Sequence, residues 1–170
     1  STARHQSICA LATVGGEEEL LCNDWLTPIA ATLKVEEVSV YDKAVCTVLE
    51  DGSILCWGVD DAGEIANAPT TGVYTDVELH QENACAVRID GEEICWGADD
   101  GSILSPPAGP FRPKDALAVV GDAIGSGSSG ACAVRTNGTV ACWSLEGFTA
   151  PPAGGGFRQL VGGNLHACAL

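Results

Sequence analysis

The chain reads as an all-β repeat protein, a β-propeller or a β-solenoid, on three observations. The segments "VCTVLEDGSILCWG" (Val45 to Gly58), "ACAVRIDGEEICWG" (Ala84 to Gly97) and "ACAVRTNGTVACWS" (Ala131 to Ser144) align without a gap. Each holds Asp-Gly or Asn-Gly between two apolar, β-branched runs, the strongest short-range hairpin signal. The intervening loops, "NAPTTG", "SPPAGPFRP" and "APPAGGGF", are too rich in Pro and Gly for helix interiors. Three to four short strands in each unit of about 40 residues is the pattern of propeller blades or solenoid turns, and the propeller is preferred.

The units follow in order from the cysteines. The first cysteine of each copy stands at 9, 46, 85, 132 and 168, separated by 37, 39, 47 and 36 residues. This divides a single repeat domain, residues 1–170, into units near 1–32, 33–72, 73–114 and 115–156 and an incomplete 157–170. The first unit is a looser copy, "ICALATVGGEEELLCND" (Ile8 to Asp24), in which Cys9 fits opposite Cys22 around a six-residue loop "TVGGEE" between Ala12 and Glu19. Each later hairpin follows a strand-like segment: "LKVEEVSV", "VYTDVELH", "DALAVVGDAI" and "FRQLVGG".

The register of the hairpins can be worked out. A three-residue loop of Glu50, Asp51 and Gly52, a type I turn with Gly52 left-handed in a bulge, closes Leu49 against Ser53 and sets Cys46 opposite Cys56. The same turn at Gly91 and Gly138 sets Cys85 opposite Cys95 and Cys132 opposite Cys142. Each pair falls at a non-hydrogen-bonded site, where Cα atoms are about 4.5 Å apart and a disulfide can form. Four cross-strand disulfides are therefore expected, each worth at most about 2–3 kcal/mol for so short a loop. Cys168 is left unpaired, and its partner is expected about ten residues beyond Leu170, as in a longer protein cut within a hairpin.

Composition narrows the partners. Eight Lys and Arg against 23 Asp and Glu give a net charge of -15, which repels phosphate backbones and anionic membranes. Nucleic acid is thereby excluded as an expected partner. The longest apolar runs, such as "ALAVVGDAIG", are short and broken by Gly, so direct membrane insertion is not expected.

The quoted motifs carry a resemblance. "HACAL", "CAVRTNGTVACW", "CWGVDDAGEIA" and "CWGADDGSI" resemble the repeats of the regulator of chromosome condensation family. That resemblance implies a seven-bladed propeller, of which this chain would supply about four blades as a fragment of the ring. It does not fix function, since the family includes a nuclear exchange factor, a plant light sensor and secreted inhibitors. "GEIA" (Gly63 to Ala66) only approximates the family's "GQLG" segment, Ser144 replaces a Gly after Trp143, and "CNDW" replaces "CWG" in the first copy.

Candidate sites are few. Cysteines ten apart on opposed strands do not match zinc spacing, so no metal and no cofactor is expected. The loops "VDDAGE" and "ADDGS" offer carboxylates for Ca²⁺ but lack the spaced ligand series of an EF-hand, and read as solvated turns. Trp57, Trp96 and Trp143 follow the second cysteines and read as inter-blade packing. Asn137 in "NGT" matches the glycosylation acceptor pattern, yet turn geometry alone accounts for an Asn there. His5, His80 and His166 lack a catalytic motif partner, so no catalytic residue is assigned and an enzyme is not expected.

The sequence thus points to a secreted, cell-surface or periplasmic protein-binding or scaffold module, of the kind that serves as an accessory subunit of a larger assembly. The alternatives are an enzyme-inhibiting propeller, weakened by an aromatic content of 5%, and a propeller hydrolase or lyase. Alkylation of the oxidised chain should label Cys168 alone, the other eight cysteines reacting only after reduction. Mass spectrometry showing several alkylated cysteines without reductant would remove the basis for an oxidising compartment.

Overall fold

The computed structural model describes residues 9–14, 17–22, 34–41, 43–80, 82–99, 102–114, 117–121, 129–144, 150–151, 153–162 and 166–170. Among these every regular element is a β-strand, and they form five small antiparallel sheets. β1 (Cys9–Val14) pairs with β2 (Glu17–Cys22) in the first. Three three-stranded meanders follow: β3 (Val35–Tyr41), β4 (Ala44–Leu49) and β5 (Ile54–Gly58); β6 (Tyr74–His80), β7 (Asn83–Arg88) and β8 (Glu93–Gly97); β9 (Leu117–Gly121), β10 (Ser129–Val134) and β11 (Val140–Trp143). β12 (Leu160–Gly162) and β13 (Ala167–Ala169) form the last. The first strands β3, β6, β9 and β12 pack in succession against one another, so the sheets stand around a common axis as propeller blades, here numbered 1 to 5.

The middle strands explain the apolar runs. β4 and β7 are almost wholly buried; β7 is covered on both faces by neighbouring blades, and a strand so placed need not alternate with polar residues. Alternate side chains serve alternate seams. In β7, Ala84 and Ala86 pack with Ala44, Cys46 and Val48 of blade 2, whereas Cys85 and Val87 pack with Phe111, Leu117, Ala131 and Ala133 toward blade 4. A third cluster joins Ala118, Cys132 and Val134 of blade 4 to Leu160 of blade 5.

The hairpin tips are alike. Leu49 N donates to Ser53 O at 2.9 Å, Arg88 N to Glu92 O at 2.8 Å and Arg135 N to Thr139 O at 2.8 Å. Gly52, Gly91 and Gly138 have φ of 78°, 83° and 81°. Their carbonyls accept from Tyr74 N (2.8 Å), Phe111 N (2.8 Å) and Phe157 N (3.0 Å), which draws each tip against the entry to the next blade. A Cβ on Gly52 would stand 2.5 Å from Val73 Cγ1, and one on Gly138 would stand 2.5 Å from Gly156 N. Tip and neighbouring blade are thus too close for any larger residue.

The first hairpin corrects the expectation of a six-residue loop. Pairing runs past Ala12↔Glu19 to Thr13↔Glu18 and Val14↔Glu17, which leaves only Gly15 and Gly16 between the strands. Thr13 and Val14 are β-branched and extend the strand, and Gly-Gly is itself a two-residue hairpin signal.

The tryptophans lock one blade to the one before. Trp96 of blade 3 is buried in the cluster that holds Cys46 and Cys56 of blade 2, and its Nε1 donates to Glu64 O at 2.8 Å. Trp143 of blade 4 packs against the cluster that holds Cys85 and Cys95, and its Nε1 donates to Ile103 O at 2.9 Å. Trp57 Nε1 is buried and finds no acceptor among the described residues. Trp96→Phe should therefore cost about 1–3 kcal/mol by orphaning the Glu64 carbonyl, with a smaller loss for Trp57→Phe. Urea denaturation compares them, and equal losses would refute the indole–carbonyl clamp.

Candidate functional site

The staples occupy the apolar seams. Cys46–Cys56, Cys85–Cys95 and Cys132–Cys142 are disulfide-bonded, with Cα atoms 4.1, 4.0 and 4.0 Å apart, somewhat closer than the spacing of an ordinary non-hydrogen-bonded pair. Cys9 stands opposite Cys22 in the register of β1 and β2; their side chains lie outside the described set. Cys168 is a free, exposed thiol opposite Val161. Asn137 is exposed, and its Oδ1 accepts from Thr139 N at 3.0 Å and Oγ1 at 2.8 Å. Asp51 makes the same turn with Ser53, at 2.9 Å to N and 2.6 Å to Oγ. The turn therefore employs Asn and Asp interchangeably.

In the acidic loops Asp60, Asp61 and Asp99 are exposed, as in solvated turns, whereas Glu64 is turned inward. Glu64 is only 2% exposed, and its two carboxylate oxygens accept from Asp61 N (3.0 Å) and Ala62 N (2.8 Å). Asp60 accepts from Ile65 N and Ala66 N, each at 3.1 Å, and the Ile65 amide holds its carboxyl below the usual range. Asp99 accepts from Leu104 N at 3.3 Å in the next unit. These carboxylates fold the turns that present the Glu64 and Ile103 carbonyls to the tryptophans, a role that composition alone did not reveal.

Blade 3 carries a buried polar ladder. Asp76, Glu78 and His80 alternate along one face of β6, and their register partners on that face include Asn83 and Cys85 of β7 and Glu93 and Cys95 of β8. Glu78 Oε2 accepts from Ser39 Oγ of blade 2 at 3.0 Å, and Ser39 Oγ accepts from Leu79 N at 2.8 Å. Burial, then the Asp76 charge, pushes the Glu78 carboxyl up to about 8. The same causes raise Glu93 well above the carboxylate range. His80, its ring centroid 4.4 Å from that of Tyr41, is held down to about 4 by burial. Both its nitrogens, both amide atoms of Asn83 and Glu93 Oε2 are buried without a partner among the described residues. The described metal-type donors that converge within 4.8 Å are Cys85, Glu93 and Cys95, and both sulfurs are already joined in the disulfide. His166 is exposed just before β13; His5 lies outside the described residues.

The hairpin-tip end is open. Between the tips of blades 2 and 3 lies a groove of about 220 Å³ lined by residues including Glu36, Glu50, Val73, Thr75, Ile89 and Lys114. Ile89 is 68% exposed and Val73 43%, and Ile89 N donates to Val73 O at 2.9 Å. Lys114 Nζ lies 3.1 Å from Glu36, and Lys34 Nζ lies 3.1 Å from Glu50. Sequence patterning missed this site; its one trace is an isoleucine at a turn position that holds Glu50 and Thr136 in the sister hairpins.

Together, radial three-stranded meanders and a face of short turns define a propeller of blades, and solved structures agree. The ectodomain of the receptor kinase CR4 from Physcomitrella patens superposes with a TM-score of 0.70 at 18% identity, over 97% of this chain and 47% of that one. The CRINKLY WD40 ectodomain of the receptor kinase ACR4 from Arabidopsis thaliana gives 0.70 at 21% identity, over 99% and 58%. Human WBSCR16 gives 0.58 at 15% identity, over 85% and 47%. The chain spans about half the length of these structures, and WD40 repeats are propeller blades. No family model matches the chain, and no curated protein matches it in sequence.

The ladder sets a pH window. Glu78 and Glu93 favour their protonated forms in the fold, so they contribute stability below the ordinary carboxylate range that is lost as pH rises, for Glu78 through about 8. His80 favours its neutral form, so its contribution is present above the ordinary imidazole range and is lost as pH falls through about 4. Thermal melts across this range should show stability falling at both ends. Glu78→Gln should lessen the alkaline loss, and an unchanged alkaline limb in that variant would exclude Glu78 as its source.

Proposed function

We propose that the chain is a secreted or cell-surface protein-binding scaffold built from repeats of the regulator of chromosome condensation type, serving as a binding subunit of a larger assembly. The observation that carries this reading is the tip face. Three stapled hairpins, each bonded through its turn glycine to the next blade, hold a row of short turns rigidly at one end of the sheets. Rigid presentation limits the ordering cost of association, and turns on a fixed scaffold are where binding residues concentrate.

Disulfides persist in oxidising compartments, which favours the extracellular assignment. The receptor-kinase ectodomains that share the fold are compatible with a binding role. In this reading the chain is not an enzyme: the buried ladder is a structural feature of the seam, and catalysis is left to whatever it binds.

The test is affinity capture from secreted and surface fractions, with the oxidised chain as bait and the reduced, alkylated chain as control. At least one protein should be retained by the oxidised bait alone. Retention by neither bait, together with hydrolytic or lyase turnover by the oxidised chain, would replace the scaffold with a propeller enzyme.

A further inference from the structure

We propose that the groove between the tips of blades 2 and 3 receives a peptide segment of a protein partner in which a branched aliphatic side chain is flanked by Lys or Arg. This deepens the scaffold reading and rests on it.

The apolar half of the argument is Ile89. The turn does not require an aliphatic residue there, since the equivalent places in the sister hairpins are Glu50 and Thr136. Yet Ile89 stands 68% exposed beside Val73, and the bond from Ile89 N to Val73 O keeps the two together. At the next seam the corresponding places are Pro110 and Thr136, bonded in the same way at 3.1 Å, and the aliphatic pair is lacking. A groove of about 220 Å³ is smaller than pockets that enclose a small-molecule ligand, which run from about 300 Å³ upward. It suits one anchoring side chain.

The charge half is the rim. Glu36, Glu50 and Asp51 line the groove, against Lys114. Asp51 is kept ionised by the Ser53 hydroxyl and amide that hold its carboxylate, and Asp90, paired with Arg88 at 3.5 Å, follows Ile89 directly. The ion pairs of Glu36 with Lys114 and Glu50 with Lys34 are exposed on both sides, so each is weak and screened by salt. A cation on the partner can therefore replace Lys114 or Lys34 at little cost, while an anionic segment would meet both the rim and the chain's net charge of -15.

The experiment pans a random peptide phage library against the oxidised 170-residue chain and maps enriched synthetic peptides by amide chemical shifts on the ¹⁵N-labelled protein. Expected are sequences joining Ile, Leu or Val to Lys or Arg that shift Gly52, Val73, Thr75 and Ile89. Ile89→Ser should weaken them about tenfold or more, with Glu50→Gln and added salt each weakening them further. Both substitutions are at exposed side chains, and retained amide dispersion checks the fold. Enriched peptides that bind another surface, unaffected by Ile89→Ser, would overturn the groove and leave the scaffold reading standing. No enrichment over the reduced, alkylated chain would overturn both.

Discussion

The structure depends on one repeated contact, the tryptophan of blades 3 and 4 packed into the cluster that holds the disulfide of the blade before. Trp96 packs in the cluster that includes Cys46 and Cys56, and Trp143 against the cluster that includes Cys85 and Cys95. Neither half suffices alone. A hairpin with a ten-residue staple is closed but has no reason to stand beside another, and small two- and three-stranded sheets are marginal when isolated. The indole supplies apolar area for the seam and one directed bond across it. Stability then resides largely in nearest-neighbour interfaces, as in other repeat proteins.

Much of this was legible because the hairpin is a local object. The spacing of Cys85 and Cys95 about Asp90-Gly91 specifies turn, register and staple at once, and the structure places Cys85 opposite Cys95 at that register. The alternation of Cys95 and Trp96 likewise says that they face different neighbours. The first hairpin was harder to read, because its loop departs from the sister copies and the length of Gly-flanked strands is set by pairing rather than by composition.

What remained hidden is long-range in sequence. Glu64 looks like a surface acid, and only the fold of its own loop, which turns both carboxylate oxygens onto backbone amides, takes it out of water. The groove is assembled from Glu36 of one unit and Val73, Ile89 and Lys114 of the next, residues up to 78 positions apart. Asp76, Glu78 and Glu93 share a sheet face through β6 and β8, strands that do not pair with each other. Such a face becomes visible only when three strands are in register.

The indole clamp has a consequence for how far such a protein can drift. Trp96 and Trp143 bind carbonyls of the main chain, and the residues that supply them are Glu64 and Ile103, an acid and an aliphatic. A bond that reads only the backbone is indifferent to what the turn displays. Turn sequences can be rewritten, copy by copy, while the angle between neighbouring sheets stays the same. An architecture held in this way can persist when little more than the Trp, the Cys pair and the turn Gly of each copy is left to align.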